Sequence, residues 1–107
     1  MSQVTDIILV TGIDDDRPNV ARLNQWCEKN CGWGNGSGYL KQVDDFASGG
    51  KAMQCNVYLA AVNYLNEDGF VAEFRRIRWL EPEHVQLLMK GEFDEQFSIT
   101  LLDSVEW

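Results

Sequence analysis

Four consecutive apolar residues, Ile7-Ile8-Leu9-Val10, constrain this chain more than any other stretch. Three of the four are β-branched, which favours extended backbone. A run without polar alternation suits a central strand covered on both faces. The pattern predicts a first strand over Val4 to Thr11, broken by Gly12 and the acids Asp14, Asp15 and Asp16.

The remaining elements follow from local signals. Arg17-Pro18 predicts a helix start, because the N–H that proline lacks has no partner in the first turn. The preceding acids complement the positive end of the helix dipole. Val20, Leu23 and Cys27, with Trp26 beside them, make one face apolar, and the helix should end near Asn30, before Gly32. Residues 32–38 read Gly-Trp-Gly-Asn-Gly-Ser-Gly, a loop without helical or strand preference. A short strand is expected within Tyr39 to Phe46, and Ser48-Gly49-Gly50-Lys51 reads as a turn.

Val57 to Leu65 fits either a strand or a buried helix by periodicity. A strand is preferred, because Asn66-Glu67-Asp68 looks like a fresh helix start directly afterwards. That helix should run from about Glu67 to Arg78, burying Phe70, Phe74 and Ile77, with Arg75, Arg76 and Arg78 at its negative end. Val85, Leu87 and Met89 alternate with Gln86, Leu88 and Lys90. Phe97, Ile99 and Leu101 alternate with Ser98, Thr100 and Leu102. With Gly91 to Glu95 between them, these predict an antiparallel hairpin with one face inward.

The order β-α-β-β-α-β-β predicts an α+β, ferredoxin-like two-layer sandwich: an antiparallel sheet with two helices on one face and the last strand added at an edge. No repeat or linker divides the 107 residues, so residues 1–107 are expected to form a single α+β domain. No apolar run reaches the roughly 18–20 residues of a membrane span. The N-terminus has neither a basic segment nor a signal-peptide core, so a cytoplasmic location is expected.

Charge narrows the function classes. Seventeen acids against nine basic residues give a net charge of −8, which repels nucleic-acid phosphates and anionic membranes. Residues 91–107 hold Glu92, Asp94, Glu95, Asp103 and Glu106 and no basic residue. Such a surface suits a basic protein partner, or simply solubility.

No catalytic or metal-binding pattern organises the reactive residues. Cys27 and Cys31 share a predicted helix face and could meet Cys55 and His84 only if the fold joined them; the tight Cys-x-x-Cys zinc knuckle is missing. Cysteine as a small buried apolar residue is the simpler reading, with reduced thiols expected from the odd count of three. His84, the one histidine, reads as a surface residue at a strand start, and a Cys55–His84 nucleophile–base pair has no local signature. Asp14-Asp15-Asp16 lacks the alternating ligands of a calcium loop. The glycine-rich loop lacks both phosphate-binding patterns, and Tyr58 and Tyr64 lack the basic RNA-binding context. No cofactor or metal is expected, and the balance favours binding over catalysis.

The expected function is therefore a small acidic protein-binding module, of an inhibitor, immunity or anti-defence kind, recognising a basic macromolecular partner. Its candidate contact residues are Trp33, Asp14, Asp15, Asp16, Asp44 and Asp45. Trp33, between two glycines, is either an exposed anchor or folded back onto the core. The alternatives are a small enzyme or ligand-binding domain with a pocket between helices and sheet, and a homo-oligomeric module joined through sheet edges or the uncovered sheet face.

Overall fold

The structure is a computed structural model that describes residues 4–30, 40–43, 50, 54–63 and 65–102. The chain runs β1 (Val4–Thr11), α1 (Arg17–Asn30), β2 (Lys41–Gln42), β3 (Asn56–Asn63), α2 (Glu67–Arg76), a 3₁₀ turn over Pro82–His84, β4 (Gln86–Lys90) and β5 (Ser98–Leu101). The five strands form one sheet in the order β2-β3-β1-β4-β5, and every neighbouring pair is antiparallel. The fold is α+β. No helix among the described residues is long and apolar enough to cross a membrane.

β1 is central, as its apolar run predicts. It pairs with β3 from Val4↔Asn63 to Thr11↔Asn56 and with β4 from Asp6↔Lys90 to Val10↔Gln86. The first of these ladders makes residues 56–63 extended, which decides the strand-or-helix choice for Val57 to Leu65 in favour of the strand as far as Asn63; Leu65 lies beyond the strand and residue 64 outside the described residues. Its inward positions are Tyr58, Ala60 and Val62, opposite Leu9, Ile7 and Thr5.

The core lies between this face and the helices. Ile7, Leu9, Tyr58, Val62, Leu87 and Met89 join Val20, Leu23 and Cys27 of α1 and Phe70 and Phe74 of α2 in one buried cluster. Gly69 lets Trp26 approach α2: a Cβ there would lie 2.9 Å from the indole ring, which instead packs edge-on against Phe70 at 6.0 Å. Glu73 ties the helices together, accepting from Arg22 at 2.7 Å and from Arg76 at 3.4 Å.

α2 begins as its sequence predicts. Asn66 caps it, its side chain accepting from the Gly69 N–H at 3.1 Å, with Glu67 and Asp68 in the first turn. It ends at Arg76, two residues earlier than expected. Ile77 turns to extended backbone, and its N–H and the Trp79 Nε1 both converge on the Phe74 carbonyl, at 3.4 and 3.0 Å. Burying Trp79 is what stops the helix.

Two expectations need correction. The apolar residues of β5 do not face inward: Ile99 is 55% exposed and Leu101 53%, and Phe97 just before the strand is 40% exposed. The pairing Leu88↔Ile99 places them on the sheet face opposite the helices. Among the described residues β1 likewise is covered on one face only, since Ile8 and Val10 stand on that same open side and are half-buried. β2 spans only two residues, while Tyr39 and residues 44–46 of the predicted strand lie outside the described residues.

Candidate functional site

The end of the sheet where β1 stops gathers reactive side chains from three distant segments. Gly12 turns the chain out of β1, and the Glu81 carboxylate occupies the space a Cβ would take there. From that seat Glu81 Oε1 accepts the Asp14 N–H at 3.3 Å. Asn56, at the start of β3, donates to the Gly12 carbonyl at 3.0 Å and the Asp14 carbonyl at 3.4 Å, and accepts from Gln42 Nε2 at 3.0 Å. Pro82–His84 forms a single 3₁₀ turn in which the His84 N–H returns to the Glu81 carbonyl at 2.8 Å. These ties hold the loop at residues 12–16 beside the segment that leads into β4.

Between them lies an open cleft of about 350 Å³, lined among others by Ile13, Cys55, Glu81, Glu83 and His84. A second hollow of about 240 Å³ adjoins it, lined by Ile13, Asp15, Arg17, Gln42, Asn56 and Tyr58. Ile13 borders both and is 63% exposed. The first cleft has two carboxylates and, among the described residues, no lysine or arginine in its lining.

The three predicted aspartates behave differently. Asp14 is exposed beside Glu81. Asp15 accepts from the Arg17 side chain at 2.8 and 2.9 Å and from its backbone N–H at 3.0 Å. These hydrogen bonds, the side-chain ones first, hold its carboxyl down at about 2. Asp16 is 1% exposed and makes no part of the surface: its Oδ1 accepts from Asn19 Nδ2 at 2.7 Å and the Leu80 N–H at 3.2 Å. Trp33, Asp44 and Asp45 lie outside the described residues, as do Cys31, Tyr64, Trp107 and the glycine-rich loop.

Tyr58 reaches this end from the core. Burial raises its phenol above the ordinary value, with Asp15 and then Asp16 adding to the effect and Arg17 opposing it. A phenol raised in the folded state keeps its proton where the unfolded chain has already lost it. Its contribution to stability is therefore complete below about pH 10 and declines as pH rises above that. Denaturation midpoints measured through the alkaline range should fall for the wild type and fall less for Tyr58→Phe.

Cys55 is half-buried and His84 exposed, and both line the cleft. Cys27, by contrast, is buried in the core. Among the described residues no three of His, Cys, Asp and Glu are placed to hold a metal ion. Sequence reasoning missed Ile13, Glu81 and Glu83 as site residues. Ile13 carried a usable signal, an apolar residue between a breaking glycine and three acids where no periodicity requires one. Glu81 and Glu83 became visible only once β1 and β4 paired. Comparison with known proteins returns no match: no family model, no curated protein and no solved structure is significantly similar to the chain.

Proposed function

We propose that this chain is an acidic protein-recognition module whose contact site is the carboxylate-lined cleft at the end of β1. One observation carries the reading: exposed Ile13 stands between two hollows bordered by Asp15, Glu81 and Glu83, with Asp14 alongside. A lysine or arginine side chain of a basic partner suits that arrangement, its aliphatic stem on Ile13 and its charged head between Glu81 and Glu83. Exposed carboxylates accelerate encounter, and the desolvated apolar contact supplies affinity. Asp14 and Asp15 belong to this surface. Trp33, Asp44 and Asp45 remain candidates for it on sequence grounds. The interleaved order β2-β3-β1-β4 supports a ferredoxin-like frame, since each helix joins strands separated by one neighbour, and β5 then extends the β4 edge.

Affinity capture from the native host, quantified by mass spectrometry, tests this. Glu81→Lys/Glu83→Lys should lose at least about tenfold in capture of a basic partner. Glu92→Lys/Glu95→Lys, which changes net charge equally at another place, should lose little. Equal losses in both variants would reduce the effect to bulk charge, and no loss in either would sink the site. Trp33→Ala tests that anchor separately.

A second reading, a thiol enzyme, rests on Cys55 and His84 sharing the cleft. A histidine-activated Cys55 would be alkylated faster than an ordinary free thiol and lose that excess reactivity in His84→Ala. Ordinary alkylation unchanged by His84→Ala removes this reading.

A further inference from the structure

We propose that the open face of the sheet is a homodimer interface, on which a second copy of this chain stacks its own sheet. The helices and core occupy the opposite face. The open face carries an apolar row across four adjacent strands: Leu59 pairs with Ile8, Ile8 with Leu88, and Leu88 with Ile99. Leu59 and Ile99 are 45% and 55% exposed. β1 has the composition of a strand covered on both sides, yet the described residues cover only one of them.

The charges on this face identify the occupant. The chain has 17 acids, but among the described strand positions of the open face Asp6 is the one acid, and it pairs directly with Lys90. Consider a two-fold axis parallel to the strands and passing between β1 and β4. It lays Ile8 on the partner's Leu88 and Leu59 on the partner's Ile99. It also sets Asp6 opposite the partner's Lys90, and Lys90 opposite the partner's Asp6. One operation thus matches the apolar row to itself and opposite charges to each other, as an isologous interface requires. The third charge of this face, Lys41 beside Leu59 at the β2 edge, falls outside the overlap, beyond the partner's β5; within the overlap an acidic partner would meet Asp6 and a basic one Lys90. Aligned sheet-on-sheet packing is a standard arrangement for such faces.

The size is adequate. Four strands about 4.8 Å apart and three rows about 6.6 Å apart span roughly 400 Å² in plan per copy. With side-chain relief, two such faces reach the ~1,000 Å² at which a specific interface begins, so the dimer should be weak, with Kd of order micromolar.

Sedimentation equilibrium over a concentration series tests this on the full chain. The wild type should pass from monomer to dimer. Asp6→Lys and Lys90→Asp should each weaken association about tenfold or more, because each sets two like-charged pairs across the interface. The double exchange Asp6→Lys/Lys90→Asp should restore association to within about threefold. Ile99→Lys should abolish it while circular dichroism shows the fold retained, since the site is exposed. A wild type that stays monomeric at every concentration overturns the proposal, as does a double exchange no stronger than either single one.

Discussion

Phe74→Ala should cost about 3–5 kcal/mol of folding stability, among the largest losses expected from a single truncation in the described residues. The side chain is fully buried, and its ring packs against Trp79 at a centroid distance of 5.6 Å. The Phe74 carbonyl accepts from the Trp79 indole and the Ile77 N–H, so the residue also fixes where α2 ends. Truncation leaves a cavity between α2 and the sheet and removes the surface that seats the indole. With total stabilities of about 5–15 kcal/mol usual for a domain, that loss takes the protein to the edge of unfolding. Urea denaturation measures it directly. The control is Phe93→Ala at a 78% exposed site, expected within about 0.5 kcal/mol of wild type. A Phe74→Ala midpoint as little shifted as the control would show that α2 is not packed as described.

The elements were legible where local chemistry and packing agree. The β-branched run of β1, the Asn66-Glu67-Asp68 start of α2 and the stripe Phe70, Phe74 and Ile77 each predict what the structure shows. The errors arose where tertiary context decides. The alternation of Phe97, Ile99 and Leu101 marks a strand correctly, but it does not say which face of the sheet the apolar set joins. The register with β4 decides that, and it places Ile99 beside Leu88 on the open side. The end of α2 was misplaced because Trp79 competes for the Phe74 carbonyl from five residues away.

The site was legible only in part, for the same reason. Asp14, Asp15 and Asp16 form one acidic run in sequence, yet their neighbours give them three different roles. Asp14 stands exposed, Asp15 is neutralised by Arg17, and Asp16 is buried under the chain. Glu81 and Glu83 join Asp14 across 67 or more positions only through strand pairing. If the proposed two-fold is correct, its axis runs along the strands and sets both clefts at the same end of the pair. A partner offering two basic side chains would then be held bivalently.

Asp16 gives the sharpest separation of charge from hydrogen bonding. Asp16→Ala should cost about 2–4 kcal/mol, because it empties a buried place, takes the acceptor from the part-buried Leu80 N–H and leaves the Asn19 amide with the Arg78 carbonyl alone. That carboxylate joins the start of α1, where the Asp16 carbonyl accepts the Val20 N–H at 3.0 Å, to the segment after α2. Its other oxygen, Oδ2, is buried with no hydrogen-bond partner among the described residues. Asp16→Asn keeps an oxygen acceptor for both donors and removes a desolvated charge, so it should cost less than half as much as the alanine variant. Chemical denaturation of both variants decides the matter. Equal losses would mean that the negative charge itself, and not the acceptor, holds this junction together. Partner capture by Asp16→Asn should equal that of the wild type, since a side chain 1% exposed offers nothing to a binding surface.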